Sequence, residues 1–227
     1  ANSTRATISS SGNVGIGTTS PNHELEVAGS NDATIRITST STNISDDARI
    51  GTLQYFSSDT DSNTVVGEIV SRTPVSNFGN IFDMAFSTYN VSSGALSEKM
   101  RITGGGNVGI GTPSPDSTLH IAEPSAPAII TLERTDTTVI GGNSIGYINF
   151  RGGESTIADV ASIEVWSQET WNPDDSPTYM SFYTTPNAST TKVEAMRIDM
   201  DGNVGIGTTS PSEKLTVEGN ISASGDL

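Results

Sequence analysis

The feature that most constrains this sequence is a seven-residue string, Gly-Asn-Val-Gly-Ile-Gly-Thr, which occurs three times. The copies begin at Gly12, Gly106 and Gly202, so they lie 94 and 96 residues apart. Each copy is followed by Ser-Pro and then by a short run with the alternation of a strand. A string that returns at nearly constant spacing is typical of a repeat chain, in which one structural unit is built again. The sequence therefore predicts two modules of about 95 residues, joined and flanked by three connectors.

The residues between the copies favour strands and turns over helices. Thr, Ile, Val and Gly are abundant, and apolar residues recur at period two between clusters of turn-forming residues. Low apolar content with high net charge is also typical of disordered chains, but the many clean alternating segments argue against disorder. We predict an all-β fold of two tandem β-sandwich-like modules joined by glycine-rich β connectors. The predicted boundaries are a connector over 1–29, a module over 30–103, a connector over 104–123, a module over 124–199, and a third connector with the start of a next segment over 200–227.

Charge and composition exclude several classes of function. The formal net charge is −15, from 11 basic and 26 acidic residues, so binding to nucleic acid phosphates is not expected. No apolar run approaches the roughly 20 residues of a membrane span, and no membrane insertion is expected. There are no cysteines, which excludes disulfides and Cys-based zinc sites. Because the first residues match the interior of the later copies, the sequence is expected to be a segment of a longer chain.

The glycines of the repeated string do not form a nucleotide-binding motif. A dinucleotide fingerprint has glycines at its first, third and sixth places before a helix, whereas here they fall at the first, fourth and sixth. A P-loop requires Gly-Lys-Ser/Thr, and no lysine is near. Val14 and Ile16 alternate with Gly15 and Gly17, which predicts a strand with apolar side chains on one face and a close approach to the other. The string is therefore interpreted as a structural joint.

Neither a catalytic set nor a cofactor site is predicted. The two histidines, His23 and His120, occupy similar repeat positions, and nothing in the sequence places an acid and a nucleophile beside them, so the chain is not expected to be an enzyme. Two acidic turns, at 59–63 and 199–203, depart from the calcium-loop pattern and are interpreted as turns whose Asp side chains bond the backbone. Calcium at either turn stays open as an alternative, and no other cofactor is expected.

One loop of the second module combines an aromatic residue with carboxylates. Trp171 is followed by Asp174 and Asp175, with Trp166 and Tyr179 nearby. Aromatic faces beside acidic groups can bind sugars, so Trp171, Asp174 and Asp175 are a candidate contact for a glycan or receptor. The alternative is that Trp171 pins its own loop, since aromatic side chains are usually buried somewhere.

The connectors resemble the repeats of phage tail fibres and tailspike-like proteins. The best match runs from Met196 to Val217 and contains Met-Arg-Ile-Asp-Met-Asp-Gly-Asn-Val-Gly-Ile-Gly-Thr followed by Ser-Pro and Lys-Leu-Thr-Val. In that family the string often precedes a C-terminal intramolecular chaperone domain that cleaves itself off; no counterpart occurs here, so no catalytic residue is carried over. The resemblance covers the connectors and not the modules. It implies an elongated, intertwined homotrimer with β connectors wound about a three-fold axis.

At such an axis, Val and Ile would form a narrow core while the glycines let neighbouring backbones come close. The residues predicted to lie there are Val14, Gly15, Ile16, Gly17, Val108, Gly109, Ile110, Gly111, Val204, Gly205, Ile206 and Gly207. The expected function is a structural and host-attachment segment of a viral tail fibre in the virion. Its partners would be its own copies, other tail proteins, and a glycan or protein receptor on the host surface. The alternative is a bacterial extracellular adhesin or filament subunit, because similar connectors occur there too.

Overall fold

Short strands and turns make up the chain in the computed structural model, which describes residues 6–29, 33–40, 45, 47–59, 64–73, 82–153 and 157–222. Within these residues there are fifteen strands and no helix, which confirms the all-β prediction. It follows that the described residues contain no helix able to cross a membrane. The chain divides into two units, Ala1–Ile129 and Ile130–Leu227.

The first unit contains two sheets. The strands are β1 (Ala6–Ile8), β2 (Val14–Ile16), β3 (Leu25–Val27), β4 (Arg49–Ser57), β5 (Thr64–Arg72), β6 (Asp83–Asn90), β7 (Ala95–Ile102), β8 (Val108–Ile110) and β9 (Leu119–Ile121). Strands β1 to β3 form a three-stranded sheet, and β4 to β9 form a six-stranded sheet in chain order. Neighbouring strands from β4 to β8 are antiparallel, as short turns allow, whereas β9 lies parallel to β8.

The second unit repeats the six-stranded sheet. Its strands are β10 (Ser144–Gly152), β11 (Ala158–Ser167), β12 (Thr178–Thr184), β13 (Val193–Ile198), β14 (Val204–Ile206) and β15 (Leu215–Val217). They also follow chain order, with four antiparallel pairs and a final parallel pair. The repeat of the sequence is thus a repeat of strand topology.

Each copy of the repeated string folds in the same way. A turn joins two antiparallel strands, and the chain then returns to place a third strand parallel to the second. The pairing register is identical in the three copies, since Val14, Val108 and Val204 face the Ile six residues before them. In the second and third copies the first connector strand is also the last module strand, so one ladder of hydrogen bonds runs from module into connector.

One predicted strand is absent. The alternation of Ile35 and Ile37 predicts a strand over 33–38, but the structure assigns none to the described residues 33–40. This segment lies against the face of the six-stranded sheet, where Ile37 Cγ2 would be 3.0 Å from a Cβ added to Gly51. In the second unit Leu132 lies over Gly146 in the same way. A segment on the face of a sheet has no neighbouring strand edge to pair with, so apolar alternation alone does not make it a strand.

Burial in this chain is inverted relative to an ordinary soluble sheet. Among the described residues the only buried hydrophobic side chains are Val70, Ala85 and Val139, whereas nine polar or charged residues are buried. Many large hydrophobic residues on the sheets are exposed. Antiparallel sheets usually bury the apolar face and solvate the polar one. The single chain therefore leaves uncovered the face that would normally form the core.

Candidate functional site

The register of the first unit places its apolar side chains on one face of the six-stranded sheet. Cross-strand partners share a face, and Leu53, Ile69, Phe86, Met100 and Ile110 are successive partners across β4 to β8. The next row on that face contains Ser71, Met84, Ile102, Val108 and Leu119. We call this surface the apolar face. It is solvent-exposed at both edges, with 52% of Leu53 and 55% of Leu119 accessible.

The second unit carries the same surface at matching positions. Its successive partners are Ile148, Ile163, Phe182, Met196, Ile206 and Val217, and the next row contains Val165, Met180, Ile198, Val204 and Leu215. Ile148 is 53% exposed and Leu215 56% exposed. Contiguous exposed apolar surface of this extent marks an interaction site in a soluble protein. Each of the two units thus has an apolar face of its own, which the segment before its first long strand overlies at one edge and which is otherwise uncovered.

The opposite face of the first sheet is polar and closed by ion pairs. Arg101, only 1% exposed, lies between Ala85 and Gly109 in the ladder. Its guanidinium donates to both oxygens of Glu98 at 2.8 and 2.7 Å and to Asp83 Oδ2 at 2.9 Å. Hydrogen bonding to Glu98, more than any other contact, raises the pKa of Arg101 above its ordinary value, so the buried group stays ionised. A buried, fully paired charge needs no further partner on this face.

The polar face of the second sheet also has an arginine paired with a glutamate, and here an aromatic ring contacts the arginine. Arg197 donates to Glu194 at 2.7 and 2.8 Å, and its guanidinium lies 3.9 Å from the centre of the Tyr179 ring. Glu164 is also buried; burial raises its pKa, but hydrogen bonds from Lys192 and other neighbours outweigh burial and lower it overall. In both units an arginine of the polar face is therefore paired within its own chain, while Arg72 Nε and Ser181 Oγ are buried without a hydrogen-bond partner.

The space where a side chain would lie at the second glycine of each repeated string is filled by other atoms of the same chain. Gly15, Gly109 and Gly205 lie on the polar face, and a Cβ added to them would be 2.7, 2.3 and 2.5 Å from the carbonyl oxygen of the Thr three residues later. That Thr opens a turn ending at Pro (residues 18–21, 112–115 and 208–211), and the proline also contacts the added Cβ. We call it the Thr-to-Pro turn. The close approach predicted from the glycines thus occurs within one chain.

The remaining connector residues divide between turn and apolar face. Gly17 and Gly111 lie outside the strands with φ of +78° and +74°, and an added Cβ would meet the carbonyl oxygens of Ala28 and Ala122 at 2.1 and 2.0 Å. Alternation predicts that Gly17 belongs to the strand, but β2 ends at Ile16 because the left-handed backbone of Gly17 cannot continue it. The Val and Ile of each connector belong to the apolar side, and Ile16, Ile110 and Ile206 are exposed. Their place at a three-fold axis stays a prediction.

The aromatic loop of the second unit forms a pocket of about 320 Å³. It is lined by Asp136, Thr137, Val139, Trp171, Asn172 and Pro173. Of the three predicted contact residues, only Trp171 lines it. Asp174 and Asp175 instead close a turn, in which Asp174 N donates to Asn172 Oδ1 at 2.9 Å and Asn172 Nδ2 donates to Asp175 Oδ1 at 2.8 Å. Asp136 was not predicted, because no sequence pattern links two loops that meet only in the fold.

Where the structure describes them, the acidic turns and histidines do not converge on a site. Asp199 Oδ1 accepts from the backbone N of Asp201 at 3.0 Å and of Asn203 at 2.8 Å, which confirms the interpretation of this turn. In the other acidic turn, residues 60–63 lie outside the described residues. His120 pairs only with Asp116, at 3.1 Å. Within the described ranges no group of three or more His, Cys, Asp or Glu residues could hold a metal ion, so calcium remains only a prediction.

Comparison with known proteins gives structural neighbours alone. No protein-family model and no curated protein matches the sequence. The carboxy-terminal domain of the bacteriophage T5 L-shaped tail fibre with its intramolecular chaperone domain aligns at 12% identity and a TM-score of 0.36, over 88% of this chain and 67% of that one. The same domain without the chaperone aligns at 13% identity and 0.33, over 86% and 95%. Because both TM-scores are below 0.5, neither alignment by itself establishes a shared fold.

Proposed function

We propose that this chain is a structural segment of a phage tail fibre, in which three copies pack their apolar faces together. The observation that carries the proposal is the uncovered apolar face, present at equivalent positions in both units. A sheet with an open apolar face is less stable than one whose face is covered, and covering that face with other copies supplies the missing core. The number three comes from the resemblance of the connectors to tail-fibre repeats.

The two faces divide the work of such an assembly. Copies that meet through the apolar face leave the polar face towards the medium, where Arg101 and Arg197 are already paired within their own chain. The excess of acidic residues suits a surface exposed to solvent. The role is mechanical and non-enzymatic, located in the virion, with other tail proteins as partners. A bacterial adhesin or filament subunit is the alternative, and tail genes next to the coding sequence, rather than an export signal and wall anchor, would separate the two.

Host attachment is a second candidate function, and the pocket beside Trp171 supports it. The pocket offers an aromatic wall with a carboxylate and an amide at its rim, which suits a cell-surface glycan. A protein receptor is the competing partner for the same loop. The two functions are independent, since the pocket lies on loops while the apolar face lies on strands.

Assembly is tested by multi-angle light scattering on the wild type and two aspartate variants. Leu53→Asp places a charge on the apolar face, whereas Val91→Asp changes a turn residue that is 77% exposed. Fully burying a leucine contributes about 1.5–3 kcal/mol, and because Leu53 is 52% exposed in the single chain, covering it contributes about half of that in each copy, or about 2–5 kcal/mol per trimer. We expect trimers for the wild type and Val91→Asp, and folded monomers for Leu53→Asp. A monomeric wild type, or a trimeric Leu53→Asp, would refute the proposal.

A further inference from the structure

We infer that the pocket beside Trp171 binds an uncharged sugar ring. This inference rests on the host-attachment role proposed above and gives that role a ligand class. The volume of about 320 Å³ is at the small end of ligand sites and admits one ring with its substituents. A single terminal residue or one branch of a surface glycan therefore fits better than an extended chain.

The lining has the two kinds of group that a sugar ring requires. Trp171, Pro173 and the buried Val139 provide an apolar wall for the C–H face of the ring. Asp136, Thr137 and Asn172 provide hydrogen-bonding groups for its hydroxyls. Among these, Asp136 carries the charge, and an ionised carboxylate accepts hydrogen bonds and donates none. It therefore selects hydroxyl donors, of which a sugar has several adjacent ones.

The carboxylate of Asp136 is ionised and held in place. Arg134 Nε donates to Asp136 Oδ2 at 2.7 Å, and the backbone N of Thr138 donates to Oδ1 at 3.2 Å. Arg134 is itself fixed, because its Nη1 donates to the carbonyl oxygen of Ser144 at 3.0 Å. Hydrogen bonding from Arg134 is the main cause of a lowered pKa for Asp136. Oδ2 accepts from both Nε and Nη2 of Arg134, whereas Oδ1 accepts a single bond and retains a lone pair for a ligand hydroxyl.

The aromatic wall is preformed as well. The backbone N of Trp171 donates to the carbonyl oxygen of Val139 at 2.9 Å, and the indole Nε1 donates to that of Pro177 at 3.2 Å. Below them Ser167, fully buried, donates to the carbonyl oxygen of Ile140 at 2.6 Å and joins the two loops. With the indole N–H already used, Trp171 offers the pocket an apolar ring and no side-chain donor. A wall that is ordered before binding avoids the entropic cost of fixing it.

Charge disfavours the binding of acidic sugars. A carboxylated or sulfated ring would bring its anion beside the ionised Asp136, on a chain with a net charge of −15. The cation closest to Asp136, Arg134, is engaged by that carboxylate and by a backbone carbonyl. The pocket should therefore prefer neutral hexoses and N-acetylhexosamines over uronic acids. A proline-rich or aromatic peptide is the competing occupant, and a pocket for such a peptide would have no reason to prefer neutral sugars over acidic ones.

The test is saturation-transfer NMR on the full chain with four methyl glycosides, those of glucose, galactose, N-acetylglucosamine and glucuronic acid. We expect transfer to at least one neutral glycoside and at least about tenfold less to the glucuronide, equivalent to about 1.4 kcal/mol. Asp136→Asn and Trp171→Ala should reduce the neutral signal by at least about tenfold, and Asp174→Asn, outside the pocket, should leave it unchanged.

Each outcome decides the inference. Absence of transfer to every neutral glycoside overturns it, and so does equal transfer to the glucuronide or an equal loss in Asp174→Asn. Asp136→Asn keeps the test valid if Trp171→Ala disturbs its loop. Light scattering on the same samples separates this inference from the assembly. A trimer that binds no glycoside refutes the pocket alone, and a monomer that binds one refutes the assembly alone.

Discussion

The substitution Gly109→Ala adds one methyl group and tests whether atoms of the same chain require glycine at this connector position. Gly109 lies in β8 between Arg101 and His120, and its φ is not in the left-handed region, so alanine is allowed there by the backbone. The added Cβ, however, would be 2.3 Å from the carbonyl oxygen of Thr112. Contacts below 3.0 Å do not occur at real Cβ atoms, so the Thr-to-Pro turn must move.

That turn is not free to move without cost. The backbone N of Gly111 donates to the carbonyl oxygen of Lys99 at 2.9 Å, and the side chain of Asn107 donates to that of Pro115 at 3.3 Å. Displacing the turn lengthens these bonds or strains the strand, and overpacking of this kind costs about 1–3 kcal/mol. We expect Gly109→Ala to lower the free energy of unfolding by that amount.

Gly105→Ala is the matched control in the same connector. Its added Cβ would have Thr103 Oγ1 at 3.8 Å as its nearest neighbour, and its φ is also not left-handed. Alanine there should be neutral or stabilise by up to about 1 kcal/mol through the unfolded state. Urea unfolding followed by circular dichroism, at one protein concentration, measures both variants. Equal stabilities would refute the intrachain account. If Gly109→Ala unfolds like the control but fails to form trimers, then it is the close approach of a neighbouring chain that requires glycine at this position.

Two further predictions concern a second glycine and an ion pair. Gly111→Ala should lower the Tm of thermal unfolding more than Gly207→Ala does. Both glycines have a φ of +74°, but the atom nearest to the added Cβ is 2.0 Å away at Gly111 and 3.2 Å away at Gly207. Equal shifts in Tm would contradict this prediction. Hydrogen bonding from Arg49 holds the pKa of Glu68 below its ordinary 4.5. This stabilisation is therefore complete above that pH and is lost as pH falls through the lowered value. Urea unfolding of Glu68→Gln should show a shallower loss of stability below about pH 5; an unchanged slope would contradict it.

Much of the fold could be predicted from local pattern. Period-two alternation predicts strands over 65–71, 81–89 and 99–103, because successive side chains on a strand point to opposite sides. The first two correspond to β5 and β6, whereas β7 begins earlier, at Ala95, among residues whose composition is typical of a turn. The same pattern at Ile35 and Ile37 gives a wrong strand, since alternation reports which side chains face an apolar surface and not whether the backbone pairs.

The candidate pocket could be predicted only in part. Trp171 was identified because an aromatic residue in an acidic loop is conspicuous in the sequence, but Asp174 and Asp175 close their own turn. Asp136 reaches the pocket only because its loop is held against the Trp171 loop by long-range hydrogen bonds. A contact between two distant loops produces no periodic pattern in the sequence, so it cannot be predicted from neighbouring residues alone.

Spacing and alternation along the chain are enough to show a β repeat, because both are local properties that do not depend on packing. The alternating glycines also indicate that the backbone comes close to another part of the protein at each connector. What comes close is visible only in the folded chain, where the Thr-to-Pro turn lies beside Gly15, Gly109 and Gly205. The face of each sheet that stays uncovered is likewise a property of the fold, since burial depends on how distant segments cover a surface and not on which residues alternate along a strand.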